Sequence, residues 1–313
     1  MKFLFVLDPL DALKAYKDAS VAMMRAAQAR GHAVYACEQT TLAARGGRVT
    51  ARTMRLSLTD NDEDWYRGHA GKEEALASFD AVLMRKDPPF DMAFVESTWL
   101  LSAAEREGAR VFNHPTALRE HNEKLSILEF PELIAPTLVA REAAPLQAFI
   151  DEHRDTVLKP IDSMGGEGVF RVRADDPNRN VIAEVLAQGG ARPVMAQRYI
   201  PEVSAGDKRV LLIDGEPVPH TLARIAKQGE TRANLAVGGR GVAQPLTAAD
   251  RRIAAAVGPV LAKRGLLLVG LDVIGDYLTE VNVTSPTCFR EIQDQSGFDV
   301  SGTFIAALEA KLK

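Results

Sequence analysis

The sequence predicts an α/β unit of Rossmann-like order over residues 1–121, followed by an α+β unit over residues 122–313. Three observations predict it. Short apolar runs alternate with helical stretches in the first part, the order that builds parallel strands joined by crossover helices. In the second part strands follow one another directly and helices stand apart. Two dipeptides there, Asp214-Gly215 and Gly275-Asp276, each sit between apolar runs and read as tight hairpin turns, because such residues tolerate positive φ.

In the first part, residues 2–7, 33–38, 81–85 and 110–113 read as strands, and residues 20–30 and 92–107 as helices. Gly31 and Gly108 each follow a helical stretch, where a left-handed C-cap residue is expected. Asp8-Pro9-Leu10-Asp11 stands after the first strand in place of Gly-x-Gly-x-x-Gly, so a dinucleotide site of the usual kind is not supported. In the second part, residues 156–159 and 169–172 are strands flanking a glycine loop, 180–189 is helical and 194–198 is a strand. Residues 209–213 with 217–223, and 266–274 with 277–283, form the two hairpins. Asn122-Glu123-Lys124 opens a helix, with Asn122 placed as its N-cap.

Composition narrows the function. With 313 residues, 46% of them hydrophobic and 26% charged, the chain has material for two packed cores. Lys and Arg number 38 against 42 Asp and Glu, so no positive excess exists to neutralise a nucleic-acid backbone. The apolar run at the start is short and closed by Asp8, which fits a first strand and not a signal peptide. No run approaches the roughly 18 apolar residues of a membrane span. Two distant cysteines, Cys37 and Cys288, give no disulfide framework and fit a reducing cytoplasm. The six histidines lack metal-ligand spacing, and no Gly-x-Ser-x-Gly elbow occurs.

Three segments carry chemistry. In Lys159-Pro160-Ile161-Asp162-Ser163-Met164-Gly165-Gly166-Glu167-Gly168, glycines let backbone N–H groups approach phosphate oxygens, and a lysine adds a point charge. The lysine precedes the glycines and a strand follows them, so this is no Walker loop but a loop between antiparallel strands, or else a plain glycine hairpin. In Asp272-Val273-Ile274-Gly275-Asp276-Tyr277-Leu278-Thr279-Glu280-Val281-Asn282, Glu280 and Asn282 share one strand face while Val281 takes the other. Asp272 joins that face if the connection holds an odd number of residues. Two carboxylates and an amide oxygen suit Mg²⁺ carrying phosphates. The nearly all-apolar lead-in argues that these acids are buried, where they need a partner, and not merely a solvated face. Third, residues 226–241 combine glycines with Lys227, Arg232 and Arg240, as expected of a lid over an anionic ligand. Cys288 lies close to the acidic hairpin; a small buried cysteine is expected there in preference to a nucleophile.

Glycine loop, Arg-bearing loop and acidic hairpin together resemble the ATP-grasp fold, in which two α+β subdomains hold ATP between them behind a Rossmann-like (pre-ATP-grasp) domain. Longer strings are similar to the prokaryotic glutathione synthetases: residues 84–91 (Met-Arg-Lys-Asp-Pro-Pro-Phe-Asp), Asn122-Glu123-Lys124, 159–166, 215–219, Gly229-Glu230-Thr231-Arg232, Gly238-Gly239-Arg240-Gly241 and 279–288. The resemblance implies that Lys124 and Lys159 contact ATP phosphates and that Met164, Gly165, Gly166, Glu167 and Gly168 fold over them. It places adenine against Gln197, Arg198, Tyr199 and Ile200, with Gln197 departing from the glutamate that many ATP-grasp enzymes carry. It gives Asp272, Glu280 and Asn282 to Mg²⁺ (or Mn²⁺), Arg209 and Arg224 to the transferred phosphate, and Arg85, Asn234 and Ser285 to the substrate side. The expected reaction joins γ-glutamylcysteine to glycine through an acyl phosphate, in a cytoplasmic homotetramer. Rival readings are a D-alanine or glutamate ligase of the same fold, or a nucleotide-binding module without turnover. The first would differ in substrate-side strings such as residues 85–91, and the second would be expected to lose a metal ligand.

Overall fold

The computed structural model describes residues 1–227 and 238–313, so Asn234 and most of the expected lid, 226–241, lie outside the described residues. Three sheets organise the chain. In the first, Ala33–Glu38, Lys2–Leu7, Ala81–Met84 and Val111–Phe112 run parallel, side by side. Residues 3–7 are all buried, as expected of a central strand covered on both faces. Asp18 caps the helix Ala19–Ala29 by accepting from Val21 N, and Asp91 caps Met92–Arg106 by accepting from Phe94 N. Residues 43–75, to which the sequence reading gave no element, add antiparallel strands to this sheet. The longest, Arg48–Leu58, buries Val49, Ala51, Leu56 and Leu58 and exposes Arg48, Arg52 and Ser57, a period-two pattern legible in its residues.

The second sheet is antiparallel, in the order Phe170–Arg173, Asp155–Pro160, Val194–Arg198, Thr137–Ala140. The helices Ala143–His153 and Arg179–Ala187 cover it through Leu146, Ile150, Ala183 and Leu186, forming a core of its own. The third runs Arg240–Pro245, His220–Ile225, Asp207–Ile213, Leu268–Ile274, Tyr277–Asn282. Its apolar faces are continuous with those of the first sheet: Leu4 and Val6 share a core with Val210 and Leu271, and Phe3 and Phe5 share one with Leu211, Phe289 and Phe304. Asn113 ties the two sheets together, donating to Leu268 O (2.7 Å) and Val283 O (2.8 Å) and accepting from Leu268 N (2.9 Å). The second sheet, joined to this fused body through Met195, faces it across a cleft.

Both hairpin turns form. Asp214 and Gly215 have φ of 52° and 85°, the doubly left-handed geometry of a type I′ turn. One expectation needs correction: Asn122-Glu123-Lys124 does not open an α-helix. Asn122 Oδ1 accepts from Lys124 N and Leu125 N, each at 3.0 Å, and only a 3₁₀ turn, Leu125–Glu129, follows.

Candidate active site

The acidic hairpin acquires its chemistry from an irregularity. Gly275-Asp276 is a two-residue turn, an even connection that alone would set Asp272 and Glu280 on opposite faces. The register then shifts between Asp272 and Val273: Val273 pairs with Leu278 but Asp272 pairs with Glu280, leaving Thr279 as the extra residue. That bulge brings Asp272 opposite Glu280, and Asn282 follows two residues on. Asn282 Nδ2 donates to Gly270 O at 3.2 Å, which leaves its oxygen for the pocket it lines. The donor set, two carboxylates and an amide oxygen on one sheet face, fits a hard divalent cation.

The neighbouring strand adds cations to the same face. Arg209 sits opposite Asp272, and its guanidinium straddles that carboxylate at 2.6 and 3.3 Å. Arg224, on the next strand, lies 3.0 Å from Asp272 Oδ2 and 2.7 Å from Asp207 Oδ2. Burial pushes the Asp272 carboxyl up, but the two guanidinium groups outweigh it and hold it at about 2. Burial lifts Asp207 to about 6 against the pull of Arg224. Gly270 is what admits Arg209, for a Cβ there would stand 2.9 Å from Arg209 Cδ. Lys208, between Asp207 and Arg209, points to the other side and pairs with buried Asp250.

A cleft of about 990 Å³ between the second and third sheets receives most of the residues implied for ATP. Lys124, Lys159, Met164, Gly165, Gly166, Gln197, Arg198, Tyr199 and Ile200 all line it, whereas Glu167 and Gly168 do not. Gly168 acts on the loop's shape instead: its φ is +68° and a Cβ would meet Pro160 Cγ at 2.9 Å. Lys124 Nζ and Lys159 Nζ lie 3.8 and 3.7 Å from Glu280 Oε1, joining this cleft to the acidic hairpin. Burial lowers Lys159, while Glu280 and Glu123 overcome burial and raise Lys124. At the outer end Arg171 lies 3.6 Å above the Tyr199 ring, pinned there by two hydrogen bonds to Asp155, at 2.9 and 2.6 Å.

A second pocket of about 830 Å³ adjoins the first and shares Met164, Gly165, Asp272 and Glu280 with it. Arg209, Arg224, Asn282, Ser285 and Cys288 also line it. Cys288 is 1% exposed and burial raises its thiol, in keeping with a packed cysteine. Arg85 lines neither pocket. It is buried, donates to Ser20 Oγ (3.1 Å) and to Pro286 O (2.9 Å), and thereby holds the 284–288 segment from behind. Burial drops it to about 10.

The sequence reading missed Asp207, Arg171 and Glu123 as pocket residues. Asp207 was findable, because it stands two residues before Arg209 on a strand and so shares its face. Arg171 and Glu123 had no local signal; their place follows from how the sheets meet.

The chain matches the family model of the prokaryotic glutathione synthetase N-terminal domain over residues 1–119 and that of the prokaryotic glutathione synthetase ATP-grasp domain over residues 123–297. It is 58% identical to the glutathione synthetase of Ralstonia nicotianae over 309 residues, 99% of this chain and 95% of that one. It is 56% identical to that of Bordetella pertussis over 315 residues, covering 99% of both. Among solved structures, the D-cycloserine synthetase DcsG superposes with a TM-score of 0.70 at 17% identity, covering 99% of this chain and 100% of that one, a likeness of fold. Identity above one half along the whole length, on a site built this way, leaves no other assignment: the chain belongs to the prokaryotic glutathione synthetases, ATP-dependent ligases of the ATP-grasp fold.

Proposed function

We propose that the enzyme joins the cysteinyl carboxylate of γ-glutamylcysteine to the amine of glycine, releasing ADP and phosphate. The observation that carries the reading is the meeting of two pockets at Asp272 and Glu280. Nucleotide occupies the cleft between the second and third sheets, with its phosphates toward Lys124 and Lys159 and its base toward Gln197, Tyr199 and Ile200. The peptide occupies the second pocket, its reacting carboxylate toward Arg209 and Arg224. The γ-phosphoryl group passes to that carboxylate, the resulting acyl phosphate is attacked by the amine, and phosphate leaves. Both steps build negative charge on oxygen, and cations fixed beforehand by the sheet stabilise it without reorganising. Asp272, Glu280 and Asn282 would hold Mg²⁺, or Mn²⁺ in its place, which when bound neutralises phosphate oxygens.

Ser285 contacts the peptide directly in this reading, and Arg85 acts on it through the 284–288 segment. Residues 1–121 form the substrate-side domain and 122–313 the ATP-grasp domain. We place the enzyme in the cytoplasm, where two buried thiols persist, as a homo-oligomer, a tetramer by resemblance. The test is phosphate release by purified enzyme with Mg·ATP across candidate acids and amines. Release should require γ-glutamylcysteine and glycine together. Faster release with D-alanine or glutamate would keep the ligase and reject the substrates.

A further inference from the structure

The second sheet lays one row of side chains across its cleft face. Arg171, Val157, Gln197 and Thr137 stand opposite one another on its four strands, so all four emerge on the same side. The first three line the nucleotide cleft, and Thr137 ends the row just beyond them. Gln197 is 6% exposed, and which end of its amide meets the cleft depends on what holds the other end. Thr137 decides this. Its hydroxyl lies 2.7 Å from Ala135 O, which can only accept, so the hydroxyl proton is spent there and the Thr137 oxygen remains as an acceptor. Gln197 Nε2 donates to that oxygen at 3.0 Å. The opposite flip would set two acceptors against each other. Gln197 Oε1 is thereby turned to the cleft, with no partner among the described residues.

An unspent acceptor on the wall that receives the base reads a donor. Its neighbours offer little competition. The Arg198 side chain can only donate and gives Nη2 to Tyr277 at 3.0 Å, the Tyr199 ring is stacked under Arg171, and Ile200 is apolar. The N–H groups of Arg198 and Tyr199 are bonded to Pro136 O (3.0 Å) and Asp155 O (2.9 Å). We propose that Thr137 is a positioning residue for nucleotide choice: it fixes the Gln197 amide with its oxygen toward the base, which favours a purine carrying an amino group at C6 over one carrying oxygen there. This deepens the ligase reading, on whose placing of the base at residues 197–200 it rests. A 6-oxo purine would bring its own acceptor against Oε1. The amide could turn its NH₂ to meet that oxygen only by setting Oε1 against the Thr137 oxygen, so one acceptor pair is left unsatisfied either way.

Inosine triphosphate isolates this contact, because it exchanges the 6-amino group for oxygen, gains only the N1 proton and adds nothing at C2. The ratio of kcat/KM for ATP to that for inosine triphosphate should be at least about 10 in the parent, the worth of one such hydrogen bond. Thr137→Val keeps the branched shape and the strand preference but removes the acceptor. It should narrow the ratio at least about fivefold, through KM for the nucleotide and with KM for γ-glutamylcysteine unchanged, and Thr137→Ser should restore it. A ratio does not depend on how much of a variant is folded, so poor folding cannot mimic the result. A parent ratio or a narrowing smaller than these, or a Thr137→Ser ratio as low as that of Thr137→Val, overturns the proposal. Titration with ADP and with inosine diphosphate reads the same preference without turnover. Failure of γ-glutamylcysteine and glycine to support phosphate release would therefore reject the substrate reading and leave this test intact.

Discussion

Asp272 is where stability and function meet, and replacing it by Asn tests both. The side chain is 3% exposed and is gripped by Arg209 and Arg224. Its lowering from the usual 3.8 to about 2 corresponds to about 2.5 kcal/mol favouring the ionised form in the fold. Leaving a buried charge without its partner costs a similar amount, about 3–5 kcal/mol. Two routes thus agree on about 3 kcal/mol, or a drop of about 5 °C in Tm for a chain this long. A depressed carboxyl stabilises fully above its unfolded value and loses that contribution as pH falls through its folded one. The deficit of Asp272→Asn should therefore be full at pH 7, shrink below about pH 4 and be nearly gone near pH 2. Thermal melts of ligand-free parent and variant across this range measure it. A variant at least as stable as the parent at pH 7 would refute the reasoning, since desolvation of the cluster would then outweigh its ion pairs.

Other expectations follow from the same geometry. Gly270→Ala should push Arg209 off Asp272 and lower kcat at least tenfold with nucleotide affinity little changed, as checked by turnover and nucleotide titration. Arg85→Ala should raise KM for the peptide far more than KM for ATP, because it frees the 284–288 segment, and Arg85→Lys should not restore it, lacking the fork that reaches both Ser20 and Pro286. Arg171→Ala should remove about 1 kcal/mol of stacking behind Tyr199 and raise KM for ATP about fivefold, with peptide KM unchanged.

The sequence by itself determined what depends on neighbours along the chain. Alternation placed Glu280 and Asn282 together and Val281 opposite, and the Asp214-Gly215 and Gly275-Asp276 dipeptides located both hairpins. The order of motifs named the family, since each string is fixed by local demands on a loop or strand. Only the tertiary structure decided whether Asp272 joins its partners, because one bulged residue, Thr279, reverses the face on which it emerges. The resemblance gives Arg85 to the substrate side, yet packing turns it inward to Ser20 and Pro286, 65 and 201 positions away. Glu123 was legible only as part of a string. Its place in the second pocket comes from the hydrogen bond its carbonyl accepts from Val281 N and from the way the sheets meet. Side-chain direction along a strand is a local property with period two, whereas which faces meet, and across what gap, is set by contacts between residues far apart in the chain.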